Sequence, residues 1–345
     1  MAPFRLGLIG AGRMGRTHLR ALAGSQQVAV TAIAEMSAAA RDAVAAPGIS
    51  LYESPAAMLA DASLDGVLIV APTDQHGAII AEVAAAGLPI LCEKPCGLTA
   101  AAARASAEVA AAAGVPLQVA YWRRFVPGLR QLHDRIASGS LGVIHLVTCY
   151  QWDEQPPSPL FRAHSGGIAI DMGVHEFDQL RWLTGQDITS LAVVTSGPVS
   201  SGPVSSGTVS SNTGPDGIAD VDGAQVILTL SGGATGFVSL GRYYPVGDIV
   251  WAEAFGTRGS ERCDVIDPAE GEVAQLEALR RQAESFALHA LGGPCEGATA
   301  DDAVAALTAA EQVSAAIPAM SPGESSPRAD VSAGLAPSYR HRPGG

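Results

Sequence analysis

The sequence predicts a mixed α/β protein with two domains, a doubly wound parallel sheet followed by an α+β domain with a largely antiparallel, open-faced sheet. Three observations support this fold class. The chain has 345 residues, which is longer than one ordinary domain. Short apolar runs alternate with alanine-rich helical stretches over residues 4–120, a pattern typical of βαβ units. From residue 188 onwards, strands follow one another without helices between them, as in antiparallel sheets.

Residues 1–120 are predicted to form the parallel-sheet domain. Its strands are expected at residues 5–9, 28–34, 66–71, 89–92 and 116–120, because each of these is a short apolar run. Its helices are expected at residues 14–23, 37–46, 77–86 and 100–113. Thr99 precedes the last of these helices and can act as its N-cap.

Residues 121–320 are assigned to the second domain. Helices are expected at residues 129–138 and after Gly173, and strands at 143–150, 188–195, 224–230, 235–240, 250–255 and 260–265. Two segments rich in Gly, Ser and Pro are expected to lack order, a surface insertion at about residues 196–217 and a tail at residues 321–345. The open face of the sheet is expected to pair with another subunit, giving a homo-oligomer.

Composition argues against several classes of protein. A net charge of −13 repels a phosphate backbone, so nucleic acid is not expected as a partner. No apolar run is long enough to cross a bilayer as a helix, and the first residues lack the pattern of a cleaved export signal. The five cysteines are scattered, without the spacing of a zinc site or a disulfide framework. We therefore expect a soluble cytoplasmic protein with reduced thiols.

A glycine-rich turn lies between the first predicted strand and the first predicted helix. Its residues are Gly10, Ala11, Gly12, Arg13, Met14 and Gly15. Here Gly10 permits a tight turn, Gly12 lets the backbone approach a pyrophosphate, and Gly15 allows close helix packing. The free N–H groups at the helix N-terminus attract the anion. The motif predicts a dinucleotide-binding Rossmann domain in which the first five of these residues contact the cofactor.

Glu35 ends the second predicted strand, twenty positions after Gly15. A carboxylate at this place can accept hydrogen bonds from the ribose hydroxyls of the adenosine, and it repels a 2′-phosphate. Met36 follows it, where an arginine would accommodate that phosphate. The pattern favours NAD over NADP, and the alternative is a solvated glutamate at a strand end.

Two further segments lie at the carboxyl ends of predicted strands, where ligands bind in open parallel sheets. We expect both segments to contact the cofactor near its reactive end. Their candidate residues are Ala71, Pro72, Thr73 and His76 in the first segment, and Glu93 and Lys94 in the second. For Lys94, the residues alone support a catalytic lysine and an ordinary surface lysine equally.

Asp171 and His175 are four residues apart. If a helix begins at or before Asp171, the two side chains share a face, so the carboxylate can orient the imidazole and stabilise its protonated form. Such a histidine is a competent general base near neutral pH. The alternatives are a histidine buried for structural reasons and a metal site that adds His164 or Glu176. Because no second histidine completes a compact ligand spacing, no metal is expected.

Polar and aromatic residues are candidates for substrate binding. Arg124 is a candidate for contact with substrate hydroxyls, whereas Trp122 at the domain junction is also typical of simple packing. The residues predicted to contact the substrate are Lys94, Trp122, Arg124, Asp153, Asp171 and His175.

Together these motifs resemble the glucose-fructose oxidoreductase, inositol dehydrogenase and rhizopine-catabolism family, written Gfo/Idh/MocA. The similarity covers about residues 4–317. Its markers are the glycine-rich turn, Pro72-Thr73 with His76, Glu93-Lys94-Pro95, Arg123-Arg124-Phe125, and Gly166-Gly167 followed by Asp171, His175 and Asp178. The run of residues 175–183 is most similar to the inositol dehydrogenase branch.

The resemblance implies catalytic roles for Lys94, Asp171 and His175, and a second-domain sheet that mediates dimers and tetramers. The sequence departs from the family pattern at Ala71, where Thr is common, and at Glu35, where NAD-preferring members commonly have Asp. The insertion at residues 196–217 is a third departure.

The expected activity is oxidation of a ring secondary hydroxyl of a cyclic polyol, myo- or scyllo-inositol, by hydride transfer to NAD. His175 is expected to be the base, Lys94 to hydrogen-bond the reacting oxygen, and Asp171 to orient His175. The alternatives are a pyranose or aldose dehydrogenase, a keto-sugar reductase, a catalytically inactive sensor of dinucleotide and sugar, and a metal-dependent lyase or hydrolase.

Overall fold

The computed structural model describes residues 2–162, 165–196, 221–268 and 272–317. Its strands are β1 (Phe4–Ile9), β2 (Val28–Ala34), β3 (Ser50–Tyr52), β4 (Gly66–Ile69), β5 (Ile90–Cys92), β6 (Leu117–Val119), β7 (Ile144–Trp152), β8 (Ile188–Ser196), β9 (Gly223–Leu230), β10 (Thr235–Gly241), β11 (Ile249–Gly256), β12 (Gly259–Ile266) and β13 (Ala298–Thr299). Its helices are α1 (Arg13–Leu22), α2 (Ala38–Asp42), α3 (Pro55–Asp61), α4 (His76–Ala85), α5 (Ala100–Ala113), α6 (Pro127–Ala137), α7 (Pro159–Arg162), α8 (Val174–Thr184), α9 (Val273–Ala290) and α10 (Ala300–Ala316).

The first sheet has the strand order β13-β6-β5-β4-β1-β2-β3. Its strands pair in parallel except for β13, which is antiparallel to β6. Every residue of β4 is buried, as expected for a parallel strand covered on both faces. Ser37, Ser54 and Thr99 cap α2, α3 and α5, because each side chain accepts a hydrogen bond from a first-turn N–H group. This sheet confirms the predicted doubly wound fold.

The predicted elements of the first sheet are present, with three differences. Neither β3 nor α3 was predicted from the sequence, and β3 is only three residues long. The sequence nevertheless contains features that predict the start of α3, since Ser54 caps the helix and Pro55 occupies its first turn. The helix α2 ends at Asp42 rather than at residue 46.

The second sheet has the order β12-β11-β7-β10-β9-β8 and is antiparallel except between β7 and β10. The helices α6 and α8 pack on one face. The opposite face carries the aromatic residues Tyr150 and Trp251, whose rings stack with their centroids 3.7 Å apart. The α+β domain with a largely antiparallel, open-faced sheet is therefore confirmed.

The C-terminal part of the described chain returns to the first sheet. There β13 pairs with β6, α9 packs against α1, and α10 packs against both α5 and α8. Neither α9 nor α10 was predicted from the sequence, and their residues were assigned to the second domain. The signal for α10 is present, since Thr299 and Asp302 form a capping box.

The predicted insertion after Ser196 and the predicted tail at residues 321–345 lie outside the described residues. None of the helices in the described ranges combines the length and the apolar character needed to cross a bilayer.

Candidate active site

A cleft of about 1780 Å³ is lined by residues from both parts of the chain. One side is formed at the carboxyl ends of β1, β2, β4 and β5, and the other by the end of β7 and the segment that leads into α8. The predicted site residues that line the cleft are Gly10, Gly12, Arg13, Met14, Glu35, Ala71, Pro72, Thr73, His76, Glu93, Lys94, Trp122, Asp153, Asp171 and His175. Ala11 and Arg124 do not line it.

The glycine-rich turn has the geometry of an anion cradle. Gly10 has φ +98°, and a Cβ on it would lie 2.7 Å from the Val70 carbonyl oxygen. A Cβ on Gly15 would collide with the Gly10 carbonyl oxygen, whereas one on Gly12 would meet no atom within 4 Å. Because no side chain caps the N-terminus of α1, its first N–H groups can bind a pyrophosphate at the open side of Gly12. These residues fit a dinucleotide.

Glu35 is tied to the glycine-rich turn. Its carboxylate accepts hydrogen bonds from the Ala11 N–H (2.8 Å) and the Ser37 N–H (2.9 Å). Ala11 is fully buried and its N–H group binds Glu35, and its contact with the cofactor stays a prediction. Arg41, which was not predicted from the sequence, also belongs to this region, and its guanidinium donates to the carbonyl oxygens of Glu35 and Met36.

His76 joins the two loops at the carboxyl ends of β4 and β5. Its Nδ1 lies 2.9 Å from the Pro95 carbonyl oxygen, and its Nε2 lies 2.8 Å from the Ala71 carbonyl oxygen. Burial lowers the pKa of His76 below its ordinary value. A neutral imidazole can donate to only one of the two carbonyls at a time. His76 therefore fixes the relative position of the loops that border the cleft.

Lys94 reaches across the cleft. Its Nζ donates a hydrogen bond of 2.8 Å to the carbonyl oxygen of Asp171. Its backbone N–H donates to Oε2 of Glu93 at 3.0 Å. Lys94 is also the only lysine among the 345 residues, so the sole ε-amine of the chain lies in this cleft.

Asp171 lies in a π-helical turn, Ala169–Gly173, that precedes α8. Its carboxylate accepts a hydrogen bond from Nη1 of Arg242 at 3.3 Å, and no hydrogen bond joins it to His175 among the described residues. In this structure the carboxylate of Asp171 therefore contacts Arg242, and the orientation of His175 by Asp171 stays a prediction.

His175 is the second residue of α8 and is 7% exposed. Its ring packs edge-to-face against Tyr121 and Trp122, with centroid distances of 5.9 Å and 6.5 Å. Burial, followed by the positive charges of Lys94 and Arg123, lowers the pKa of His175 well below its ordinary value. The imidazole is therefore neutral near pH 7 and can accept a proton.

Buried polar side chains form a hydrogen-bonded chain from α8 to the cleft. This connection was not predicted from the sequence. Arg123 forms an ion pair with Glu176, and its Nη2 donates to Oε1 of Gln151 at 2.6 Å. Nε2 of Gln151 in turn donates to Oδ1 of Asp153 at 3.2 Å. Burial, with the nearby charge of Asp248, raises the pKa of Asp153. This chain fixes the carboxyl group of Asp153 where it borders the cleft.

Arg124 has a structural role. It is 6% exposed, and its guanidinium makes two hydrogen bonds to Asp178 and an ion pair of 3.3 Å with Asp302. Its guanidinium is directed at carboxylates of α8 and α10, and its contact with substrate stays a prediction. Its neighbour Arg123 lines the cleft instead.

His164, one candidate ligand of the alternative metal site, lies outside the described residues. Within the described ranges, no group of three or more His, Cys, Asp or Glu side chains is placed to hold a metal ion.

Comparison with known proteins gives the same picture of the two domains. Residues 4–121 match a family model described as an oxidoreductase family with an NAD-binding Rossmann fold, and residues 129–262 match the Gfo/Idh/MocA C-terminal domain. The chain is 50% identical over 311 residues to the rhizopine catabolism protein MocA of Rhizobium meliloti, covering 90% of this chain and 94% of that protein. It is 31% identical over 277 residues to the inositol 2-dehydrogenase of Rhizobium meliloti strain 1021, covering 80% of each. The crystal structure of a myo-inositol dehydrogenase from Corynebacterium glutamicum has a TM-score of 0.80 and 25% identity, covering 91% of this chain and 96% of that one.

Proposed function

The chain belongs to the Gfo/Idh/MocA family of oxidoreductases, and from this we propose that it is an NAD-dependent dehydrogenase that oxidises a ring secondary hydroxyl of a cyclic polyol. The observation that carries the proposal is that Lys94 and a neutral His175 border the same cleft as the glycine-rich turn. This arrangement provides a proton acceptor, a hydrogen-bond donor for an oxygen, and a dinucleotide cradle in one place.

On the cofactor side, the open backbone at Gly12 and the uncapped N-terminus of α1 would hold the pyrophosphate of the dinucleotide. The carboxylate of Glu35 would accept hydrogen bonds from the adenosine ribose and would repel a 2′-phosphate. The loops joined by His76 would border the nicotinamide end, because they lie at the carboxyl ends of β4 and β5. When bound, the nicotinamide supplies the hydride acceptor for the oxidation.

On the substrate side, His175 accepts the proton of the reacting hydroxyl. Its lowered pKa keeps the ring neutral before the reaction, and the edges of Tyr121 and Trp122 hold the ring in place. Nζ of Lys94 donates a hydrogen bond to the same oxygen and stabilises its developing negative charge. Asp171 contributes its carboxylate as an acceptor for a further hydroxyl, and Arg242 holds that carboxylate in position.

The expected substrates are myo-inositol and scyllo-inositol. Two inositol dehydrogenases are among the similar proteins reported above, and this likeness is the support for the choice. Asp153 and Trp122 border the cleft and would contact hydroxyls and a ring face of the polyol. A pyranose, an aldose or a keto-sugar would use the same groups, so the identity of the substrate is decided by the assay.

We also propose that the open face of the second sheet mediates self-association into a dimer or tetramer. It carries aromatic side chains, including Tyr150 stacked on Trp251, and exposed apolar residues, including Val194 (68% exposed) and Ile227 (55% exposed). Burying such a patch between two copies removes apolar surface from water. Analytical ultracentrifugation of the purified protein, with Ile227→Lys as the variant, tests this proposal.

The activity is tested by following reduced-nicotinamide absorbance with NAD and then NADP, in the presence of myo-inositol, scyllo-inositol and a set of aldoses. Turnover with NAD and an inositol is the expected result. Turnover only with aldoses would keep the roles of Lys94 and His175 and change the substrate. If the protein binds dinucleotide but neither oxidises nor reduces any substrate, the dehydrogenase proposal is overturned in favour of a sensor. If the protein is active without nicotinamide and chelators abolish that activity, a metal-dependent enzyme is favoured.

A further inference from the structure

A buried pair connects the first helix to the loop that carries Lys94. His18, on the inward face of α1, is 1% exposed, and its Nε2 lies 2.7 Å from Oε1 of Glu93. Glu93 is 6% exposed, and its other oxygen, Oε2, accepts the backbone N–H of Lys94 at 3.0 Å. Each oxygen of this carboxylate therefore has one hydrogen-bond donor, and one of the two donors comes from the helix that follows the glycine-rich turn.

The tautomer of His18 follows from its two ring nitrogens. Its Nδ1 is buried and has no hydrogen-bond partner among the described residues. An ionised Glu93 only accepts hydrogen bonds, so the proton of a neutral His18 must lie on Nε2. The bare Nδ1 is then an acceptor without a donor, which proteins tolerate better than a buried N–H without an acceptor. His18 thus has one polar contact, and that contact is Glu93.

We propose that His18 is a positioning residue for the dehydrogenase reaction, which acts through Glu93 to hold the Lys94 backbone where Nζ can reach the reacting oxygen. This inference rests on the proposed function. The helix α1 receives the pyrophosphate at its N-terminus, and Lys94 Nζ extends to the Asp171 carbonyl oxygen on the other side of the cleft. His18 and Glu93 therefore set the distance between the dinucleotide cradle and the amine that serves the substrate.

Removing the His18 donor leaves one oxygen of a buried carboxylate without a partner, which is costly enough to make the side chain reorient. Because Glu93 also binds the N–H of Lys94, its reorientation displaces the lysine. A displacement of about 1 Å at a reacting group can lower the rate about 100-fold. The cradle is made by backbone atoms of residues 10–15, so dinucleotide binding is expected to survive.

The test compares His18→Leu, which removes the donor, with His18→Gln, whose amide restores one. His145→Leu is the matched control, since it removes an exposed imidazole outside the cleft lining. For each protein we would measure the NADH dissociation constant by fluorescence, and kcat and KM with the polyol substrate. We would also record the ¹³C NMR signal of protein made with [ε-¹³C]lysine, which gives one resonance because the chain has one lysine.

With His18→Leu we expect kcat to fall at least about tenfold, NADH binding to stay within about twofold, and the Lys94 resonance to move. His18→Gln should recover most of the kcat and return the resonance toward its original position. The inference would be overturned if His18→Leu left both kcat and the Lys94 resonance unchanged. It would also be overturned if His18→Leu and His18→Gln lost kcat and melting temperature to the same extent while the Lys94 resonance stayed in place. If His18→Leu does not fold, the comparison of Glu93→Gln with the wild type decides the question by the same resonance.

The NMR measurement also separates this inference from the proposed function. A wild-type protein that binds NADH but oxidises no polyol would overturn the dehydrogenase proposal. The movement of the Lys94 resonance in His18→Leu would still report whether His18 positions the lysine.

Discussion

The carboxylate of Asp171 lies 3.3 Å from Nη1 of Arg242, a side chain that is completely buried at the end of β10. Asp171 is itself partly exposed to the cleft, with 18% of its side-chain surface accessible. The pair therefore places a negative group at the cleft and its counter-charge behind it. Nothing about residues 171 and 242 in the sequence indicates this contact, since 70 residues separate them.

Replacing Arg242 by Met should destabilise the protein by about 3–5 kcal/mol, because it leaves the partly buried carboxylate without its cation. Asp171→Asn keeps an oxygen that can accept from the guanidinium, so it should cost less stability while lowering substrate affinity. Urea denaturation measures the first effect and KM the second. A wild-type unfolding midpoint for Arg242→Met would contradict the role given to the pair.

His175→Ala should lower kcat by about 10²- to 10⁴-fold without weakening NADH binding, since it removes only the proton acceptor. The wild-type profile of kcat/KM should fall at acid pH, because the neutral ring is the active form. Its lowered pKa should keep most activity at pH 6, below the ordinary histidine value of about 6.5. Steady-state kinetics across pH test both statements, with His145→Ala as the control at an exposed histidine.

The two glycines of the turn should respond differently to alanine. Gly12→Ala should fold normally and bind NADH at least about tenfold more weakly, since its Cβ occupies the side open to the pyrophosphate. Gly15→Ala should fold poorly, because its Cβ collides with the backbone oxygen of Gly10. Melting temperature and NADH fluorescence distinguish the two outcomes. Equal NADH affinity in Gly12→Ala and wild type would exclude the cradle as the binding place.

Glu35→Ala should raise the ratio of NADP to NAD efficiency by about tenfold or more, because it removes the charge that repels a 2′-phosphate. Arg41 lies beside this position and would then face the phosphate. Glu53→Ala is a matched control, since Glu53 pairs with Arg41 but is 84% exposed on its side chain. The prediction fails if both variants keep the wild-type ratio of kcat/KM values.

Stability should decline on the acid side of neutrality. Burial lowers the pKa of His76, and burial with two nearby cations lowers that of His175. The unfolded chain therefore binds more protons than the folded one below about pH 6.5. The free energy of unfolding that the neutral His76 and His175 contribute is fully present above that pH. It is lost as the pH falls toward the lowered pKa values of the folded protein. Urea midpoints between about pH 7.5 and about pH 5 should show this loss, with a smaller slope in His175→Gln.

What the sequence could predict is mostly local. The glycine-rich turn, the caps at Thr99 and the strand-end positions of Glu35 and Lys94 depend on near neighbours, and the structure places them as expected. The contacts of Arg124 could not be predicted in this way, because its carboxylate partners come from α8 and α10. Periodicity alone cannot say which of two adjacent arginines turns to the cleft.

The sequence also contains no indication that Arg242 binds the carboxylate of Asp171. That contact joins the π-helical turn at Ala169–Gly173 to the residue that follows β10, so no local pattern in the sequence reports it. The missed chain of Arg123, Gln151 and Asp153 also depends on packing, because it joins a turn after β6 to the end of β7. The burial of His18 could have been predicted, since it follows the glycine-rich turn on the side of α1 that packs inward.

The single lysine also determines how this protein reacts with amine-directed reagents. Amine-directed crosslinkers have only Lys94 and the chain terminus to react with, so a crosslinking map of an assembly of this protein would be nearly blank even where subunits touch. The same property makes a mild amine-reactive dye a one-position footprint of cleft occupancy, because any ligand that covers Lys94 would slow its labelling. Screens of candidate substrates could therefore be run by mass spectrometry of intact protein, with no turnover required.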